Sequence, residues 1–347
     1  MGSRTVRAGV VLLALALGLP VGFGPAPATA QKGRGNPRFF DLRKAPDPKI
    51  SGAEIIEGLE DFVTRFPMRH NGMPNNNAAA EFLAKEAKKN GFKTRILEFE
   101  GLGTPSRTCK VVQSVKRGTR KPNEWIAFIA HYDIVAGGGF TIQGAYDDGS
   151  GTNMIRFFGK AFKKIETNYS IALLWFDCEE NGLLASRAYA ESLKKQGQKI
   201  HAGLGFDMVG IGWPANYCIC IYHGPAPEDA ELAVPIIKHV NFDFMKAPEG
   251  DGEGGLSQRW PIGGTPHVCS CGVNIRNSDE QNFARQGWFT MRWTGMRTAL
   301  DYPGYHQAWD TVPFMELVAG GRENLEKGTE NTFMSAFYTA IVLDHIR

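Results

Sequence analysis

Nowhere along the 347 residues does an apolar run reach the ~20 residues needed to cross a bilayer. The longest, Ala8 to Leu19, sits near the N-terminus and is too short to span. Charge of one sign is also missing. The formal net charge is +3, and residues 1–30 hold two arginines and no acid, leaving +1 for the remainder. A near-neutral chain lacks the electrostatic footprint of a protein that binds nucleic acid or anionic membranes. No H-E-x-x-H occurs, which excludes the helix-borne metal site of one large hydrolase class. No G-x-S-x-G elbow occurs, which argues against a serine hydrolase. No Walker A or G-x-G-x-x-G sequence follows a strand, so nucleotide binding has no support. Cysteine is sparse. The six residues Cys109, Cys178, Cys218, Cys220, Cys269 and Cys271 are too few for a disulfide scaffold, and none has C-x-x-C spacing.

What is present describes a globular chain, 43% hydrophobic and 22% charged. Arg4 and Arg7 precede the apolar run, and Ala28-Thr29-Ala30 follows it. A basic head, a short apolar segment and an A-x-A end predict a secretory signal peptide cut after Ala30, hence a secreted or periplasmic protein with no stable membrane insertion after cleavage. Neither a nearby cysteine nor an Arg-Arg pair points to a lipid anchor or the twin-arginine route. Residues 31–50, rich in Gly, Pro and basic residues, read as a flexible leader, and 51–347 as the folded domain. Export permits disulfides, and one or two bridges between the Cys218/Cys220 and Cys269/Cys271 regions are expected.

Within the domain, Ser51 caps a helix carrying Ile55, Ile56, Leu59 and Phe62 at helical spacing. Asn75-Asn76-Asn77 opens a second, Ala78–Asn90, closed by Gly91. Short β-like runs cover Lys93–Phe99, Thr108–Val115 and Glu124–Ala130. Helix Asn153–Phe162 precedes Ile171–Phe176, an uninterrupted apolar run that reads as a buried strand. Helix Gly182–Lys195, strands Ala202–Met208 and Tyr217–Tyr222, and a helix near Pro227–Val240 follow. Asn241–Asn277 reads as irregular, Phe289–Trp293 as a strand, and Glu323–His345 as the last helix. Alternating strands and helices predict a single α/β domain with a largely buried sheet.

The acids and histidines gather where the strands end. His131-Tyr132-Asp133 follows one apolar run, and Asp177-Cys178-Glu179-Glu180 follows another. Asp207 closes a third, Asp147 and Asp148 lie in a turn before a helix, and His306 lies in a late loop. Any one of these is ordinary: Asp-Asp-Gly-Ser-Gly alone is a turn signal. Together they differ, because ligand sites in open α/β sheets form outside the carboxyl ends of strands. Ionised acids directly after buried strands also need a partner, since unpaired buried charge costs several kcal/mol. A divalent cation is the economical partner for so many carboxylates.

The succession His131-Tyr-Asp133, Gly144-Ala-Tyr-Asp147-Asp148-Gly-Ser-Gly, Asp177-Cys-Glu179-Glu180-Asn-Gly-Leu-Leu-Ala-Ser186, Phe206-Asp207-Met-Val-Gly, Ser278-Asp279 and Tyr305-His306-x-x-x-Asp310-Thr resembles the M28 family of zinc aminopeptidases, as does the Phe66-Pro-x-Arg69-His-Asn-Gly72 opening. The resemblance runs from about Ser51 to the C-terminus. It implies a central mixed, largely parallel β-sheet flanked by helices on both faces. It implies two Zn2+ ions per chain, bridged by a water and by Asp147, with His131 and Asp207 completing one site and Glu180 and His306 the other. Manganese or cobalt could substitute. Glu179 would be the general base acting on the bridging water. Asp133 and Asp310 would orient the imidazoles from behind, and Tyr305 would help stabilise the oxyanion. A cis peptide is expected at Asp147–Asp148. The implied substrates are peptides, cleaved at their N-terminal residue.

The chain departs from the family pattern at Tyr146, Cys178, Glu280 and Gln307, none of which removes a ligand. Rival activities on this framework are a single-zinc glutaminyl cyclase, an aminoacyltransferase, and a carboxypeptidase or dipeptidase using Arg276, Arg292 or Arg297 for a substrate carboxylate. A non-catalytic binding protein is disfavoured by the intact Glu179 and ligand set. The sequence assigns no substrate-pocket residue: Trp260, Trp288 and Trp293 read first as core. Asp251-Gly-Glu253 falls short of a calcium loop, and Asn168-Tyr-Ser170 is a glycosylation sequon bordering a buried strand.

Overall fold

The structure, a computed structural model, describes residues 39–211, 218–247, 268–273, 277–295 and 302–346. The expected signal peptide, the Asp251–Glu253 loop, Tyr217, Trp260, Arg276 and Arg297 lie outside them.

Eight strands form one sheet in the order β1-β2-β4-β3-β5-β8-β6-β7. They are β1 (Lys93–Glu100), β2 (Thr108–Lys116), β3 (Lys121–His131), β4 (Tyr169–Phe176), β5 (Lys199–Phe206), β6 (Ile219–His223), β7 (Val268–Val273) and β8 (Thr290–Thr294). The central strands β4, β3, β5 and β8 run parallel, while β2 joins β4 antiparallel and β1 pairs antiparallel with β2. β6 is antiparallel to β8 and parallel to β7.

Both faces of the central strands are covered, which is why they read as continuous apolar runs. Along β3, Ile126, Phe128 and Ala130 enter the larger core, whereas Trp125, Ala127 and Ile129 enter the smaller one on the opposite face. Helices α1 (Gly52–Arg65), α2 (Pro74–Lys89), α3 (Ser150–Ala161), α5 (Pro227–Ile237), α7 (Val312–Ala319) and α8 (Arg322–His345) supply buried residues to the larger core. α4 (Leu184–Lys195) and α6 (Glu280–Ala284) supply the smaller one. Among the described residues no helix is long and apolar enough to cross a membrane.

Several expectations are corrected by packing. Ser51 does cap α1, forming a reciprocal capping box with Glu54. The second helix, however, starts at Pro74, not Ala78: proline at the first helical position gives up an N–H that would have no helical partner. Strand β7 and helix α6 were not expected. The bridges Cys218–Cys269 and Cys220–Cys271 tie β7 to β6 and to the residue just before it. Their pairing lies between the two expected regions, and it accounts for the four clustered sulfurs without a metal. A third bridge, Cys109–Cys178, was not foreseen. Nor is Phe39–Ile50 a loose leader, since Leu42 and Ile50 are buried and Phe40 stacks on His345. Trp293 is stacked on Phe206 in the larger core, and Trp288 packs against Phe283 in the smaller.

The larger core is held by an aromatic series in which Phe158 contacts Phe128, Phe206 and Phe333 at ring-centroid distances of 4.4, 5.3 and 4.7 Å. Phe158→Ala removes the shared member and should cost ~3–5 kcal/mol, read as a lower denaturant midpoint with an unchanged slope.

Candidate active site

The parallel register sets the site. His131, the last residue of β3, pairs with Phe176, the last of β4, so the two following segments leave the sheet side by side. β5 ends at Phe206 and delivers Asp207 to the same edge. Asp147 comes from the turn before α3, whose Asp147–Asp148 peptide is cis, the isomer the resemblance implied. His306 arrives from the loop before α7.

These side chains converge as two abutting groups, His131 with Glu179 and Asp207, and Asp147 with Glu180 and His306. Within each, candidate ligand atoms lie within 4.8 Å of one another. Asp147 joins the groups: its Oδ1 is 3.3 Å from His131 Nε2 and its Oδ2 is 3.2 Å from His306 Nε2. Glu180 Oε2 is 3.0 Å from His306 Nε2, and Asp207 Oδ1 is 3.9 Å from His131 Nε2. His131, Asp147 and Asp207 are buried, while Glu179, Glu180 and His306 are partly open to solvent.

The electrostatics are those of acids confined together. Burial pushes Glu180 up to about 7, and the Asp147 charge adds to it against the pull of His306. Burial pushes Glu179 well above the usual carboxylate range; His131 opposes this, while Asp279, Glu180 and Asp207 reinforce it. Burial also acts on Asp147, but hydrogen bonds from His131 and His306 hold it well below that range. For His306 burial disfavours charge, yet Asp147 and Glu180 raise it to about 10. Among the described residues no hydrogen-bond donor reaches Asp207 Oδ1 or Glu180 Oε1, both buried atoms. Orphaned carboxylate oxygens among imidazoles are the donor set of a divalent cation, and the residues fit zinc.

Supporting contacts are more varied than expected. Asp133 faces His131 Nδ1 at 3.4 Å and also accepts from the Glu179 and Glu180 backbone N–H groups at 3.2 and 3.4 Å. Asp310 differs. It accepts from the backbone N–H groups of Tyr146 and Asp147 at 2.9 and 3.0 Å and from the Tyr302 hydroxyl, so it positions the Asp147 backbone rather than the His306 ring. The ring of His306 is stacked instead on Tyr305, with centroids 3.7 Å apart. Tyr146 fills its unusual position by donating to the Ile211 carbonyl and packing on Tyr302.

Sequence reasoning gave no role to Arg69, Asp177 or the Cys109–Cys178 bridge, and weighed Arg292 only as an anchor for a substrate carboxylate. Arg69, fully buried, donates to the carbonyls of Tyr132 and Gly144, each at 2.7 Å, and to that of Gln143, clamping the segments that carry Asp133 and Asp147. Asp177 accepts from Asn71 and Asn76 at 2.8 Å, anchoring the start of the Glu179 segment. The Cys109–Cys178 bridge ties that segment to β2. Arg292 on β8 donates to Asp207 Oδ2 at 3.2 Å and lies 3.8 Å from Glu280. The Arg69 and Asn71 positions were visible in the opening motif; the others required the register.

An α/β sheet with two acid–histidine groups, joined by one aspartate at the ends of its parallel strands, defines a cation-cradle architecture. The model of peptidase family M28 matches residues 110–317, and the chain belongs to that family. It is 30% identical over 142 residues to aminopeptidase Y of Saccharomyces cerevisiae, a match covering 41% of this chain and 25% of that protein. It is 29% identical over 149 residues to aminopeptidase YwaD of Bacillus subtilis, covering 42% of this chain and 32% of the other. The matched stretch thus spans only a quarter to a third of these relatives. In fold it is similar to a zinc aminopeptidase from Bacillus subtilis (TM-score 0.65, 13% identity, 84% of this chain and 96% of that one). It is also similar to Porphyromonas gingivalis glutaminyl cyclase (TM-score 0.60, 15% identity, 86% and 99%).

Arg69→Met strips the clamp from several buried carbonyls at once and should cost at least ~3 kcal/mol, measured by chemical denaturation. Arg69→Lys should rescue little of it, because one ammonium cannot reproduce the planar fork.

Proposed function

We propose that this chain is an exported, two-zinc aminopeptidase that removes N-terminal residues from peptides. The observation that carries the reading is Asp147, whose two carboxylate oxygens face two different histidines, each belonging to its own group of acids. A carboxylate so placed is suited to bridge two cations. His131 and Asp207 would hold one and Glu180 and His306 the other. Zinc, when bound, supplies Lewis-acid polarisation of the scissile carbonyl and lowers the pKa of water.

The protein's own groups divide the remaining work. Glu179 takes the proton of the attacking water and returns it to the leaving amine. Its desolvated carboxyl, crowded by other acids, has the raised proton affinity that a base at neutral pH needs. Tyr305, stacked on His306, donates its O–H towards the developing oxyanion. Burial and the surrounding acids hold that phenol well above its ordinary pKa, which keeps the proton in place. Asp133 fixes the His131 ring and Asp310 the Asp147 backbone. Arg292 is engaged by Asp207 and Glu280, which argues against its use as an anchor for a substrate carboxylate. Export is supported by three disulfides among the described residues.

Hydrolysis of aminoacyl anilides should vanish with a chelator and return with zinc. Cyclisation of N-terminal glutamine in place of hydrolysis would overturn the reading. Glu179→Ala should retain zinc, measured by metal analysis, and lose ~10²–10⁴-fold in kcat. Full turnover in that variant removes Glu179 from its role. In cultures of a secreting host, N-terminal sequencing of the released protein should begin at Gln31.

A further inference from the structure

We infer that Arg292, backed by Glu280, makes the two cation positions unequal, weakening the one formed by His131 and Asp207. This rests on the two-zinc reading above and goes beyond it. Asp207 is divided between two partners. Its Oδ1 turns towards His131 Nε2 at 3.9 Å, while its Oδ2 accepts from Arg292 Nη2 at 3.2 Å. A guanidinium in contact with a ligand carboxylate draws charge from it and restricts it to one oxygen for a cation. It also places a like charge beside that cation in a buried setting, where screening is weak.

Among the described residues, the close charged neighbours of Glu180 and His306 are each other and Asp147. The charges that weigh most on Glu180 are those of Asp147, His306 and His131, and on His306 those of Glu180 and Asp147.

The Arg292 arrangement is built rather than incidental. Glu280 is fully buried with its Oε1 3.8 Å from Arg292 Nε, so the pair is close to neutral in the interior. Gly205 on β5 makes the space: a Cβ there would meet Glu280 Oε2 at 2.7 Å. Glu280 is the buried acid that lets an arginine sit behind Asp207.

The test is zinc titration of the metal-free full chain against a competing chelator, a readout independent of turnover. Two binding steps differing by at least tenfold are expected. His306→Ala should abolish the tight step and His131→Ala the weak one. In the double variant Glu280→Gln/Arg292→Met, which removes both charges together, the gap should fall below threefold. Equal steps in the wild-type chain, the weak step disappearing in His306→Ala, or a folded double variant with the gap intact would each overturn the inference. The single histidine variants decide the order even if the double variant does not fold. Absence of zinc binding altogether would instead overturn the two-zinc reading, so the two failures are distinct.

Discussion

Repulsion among carboxylates brought to one edge of the sheet is the constraint to which the surrounding structure answers. Asp147, Glu179, Glu180 and Asp207 lie around two imidazoles, and among the described residues one buried oxygen each of Glu180 and Asp207 meets no donor. Left alone, such a cluster would relax by protonation or by swinging side chains into water. It is prevented from doing so by backbone clamps. Arg69 grips the carbonyls leading to Asp133 and Asp147, Asp310 grips the N–H groups of Tyr146 and Asp147, and Asp133 grips those of Glu179 and Glu180. Each clamp acts on main chain, so the ligand-type side chains keep their free oxygens.

Those clamps depend on the parallel register. Because β3 and β4 end level with one another, the segments after them can share Asp133. Asp177 takes two asparagine donors from the α1–α2 connection and the first turn of α2, and Cys178 is bonded to β2. The Glu179-Glu180 pair is therefore tied to three elements. On the proposed roles, a base and a neighbouring ligand that would point in different directions benefit from a segment with little freedom.

Much of this was legible in sequence, for physical reasons. Ile171–Phe176 and Trp125–Ala130 are apolar on both alternations because both sheet faces are covered, and their terminal acids and histidine stand out by contrast. The motif order located His131, Asp147, Glu179, Glu180, Asp207 and His306, and the fold gathers all six. What periodicity could not carry was tertiary pairing. β7 is six residues with two cysteines, and only its parallel pairing with β6, beside its two bridges, marks it as a strand. Asp310 follows His306 at a spacing that suggested contact with the ring, yet the tight turn sends its carboxylate across to residues far earlier in the chain. In residues 39–50 the Pro and basic content of the segment hides Phe40, Leu42 and Ile50, which have core surfaces to cover.

A cluster of this kind trades stability for affinity. Its acids are held apart from water and from donors, which costs free energy in the metal-free chain and is returned when a cation enters. Among the described residues, imidazoles offset part of that cost at Asp147 and Glu180, and a guanidinium offsets part of it at Asp207. Asp207 has an arginine, whereas Asp147 and Glu180 have histidines that would themselves become ligands. An imidazole can give up its proton to bind a metal, but a guanidinium cannot. The charge of Arg292 therefore persists whatever occupies the cleft, and the two halves of the site answer differently to the same ion.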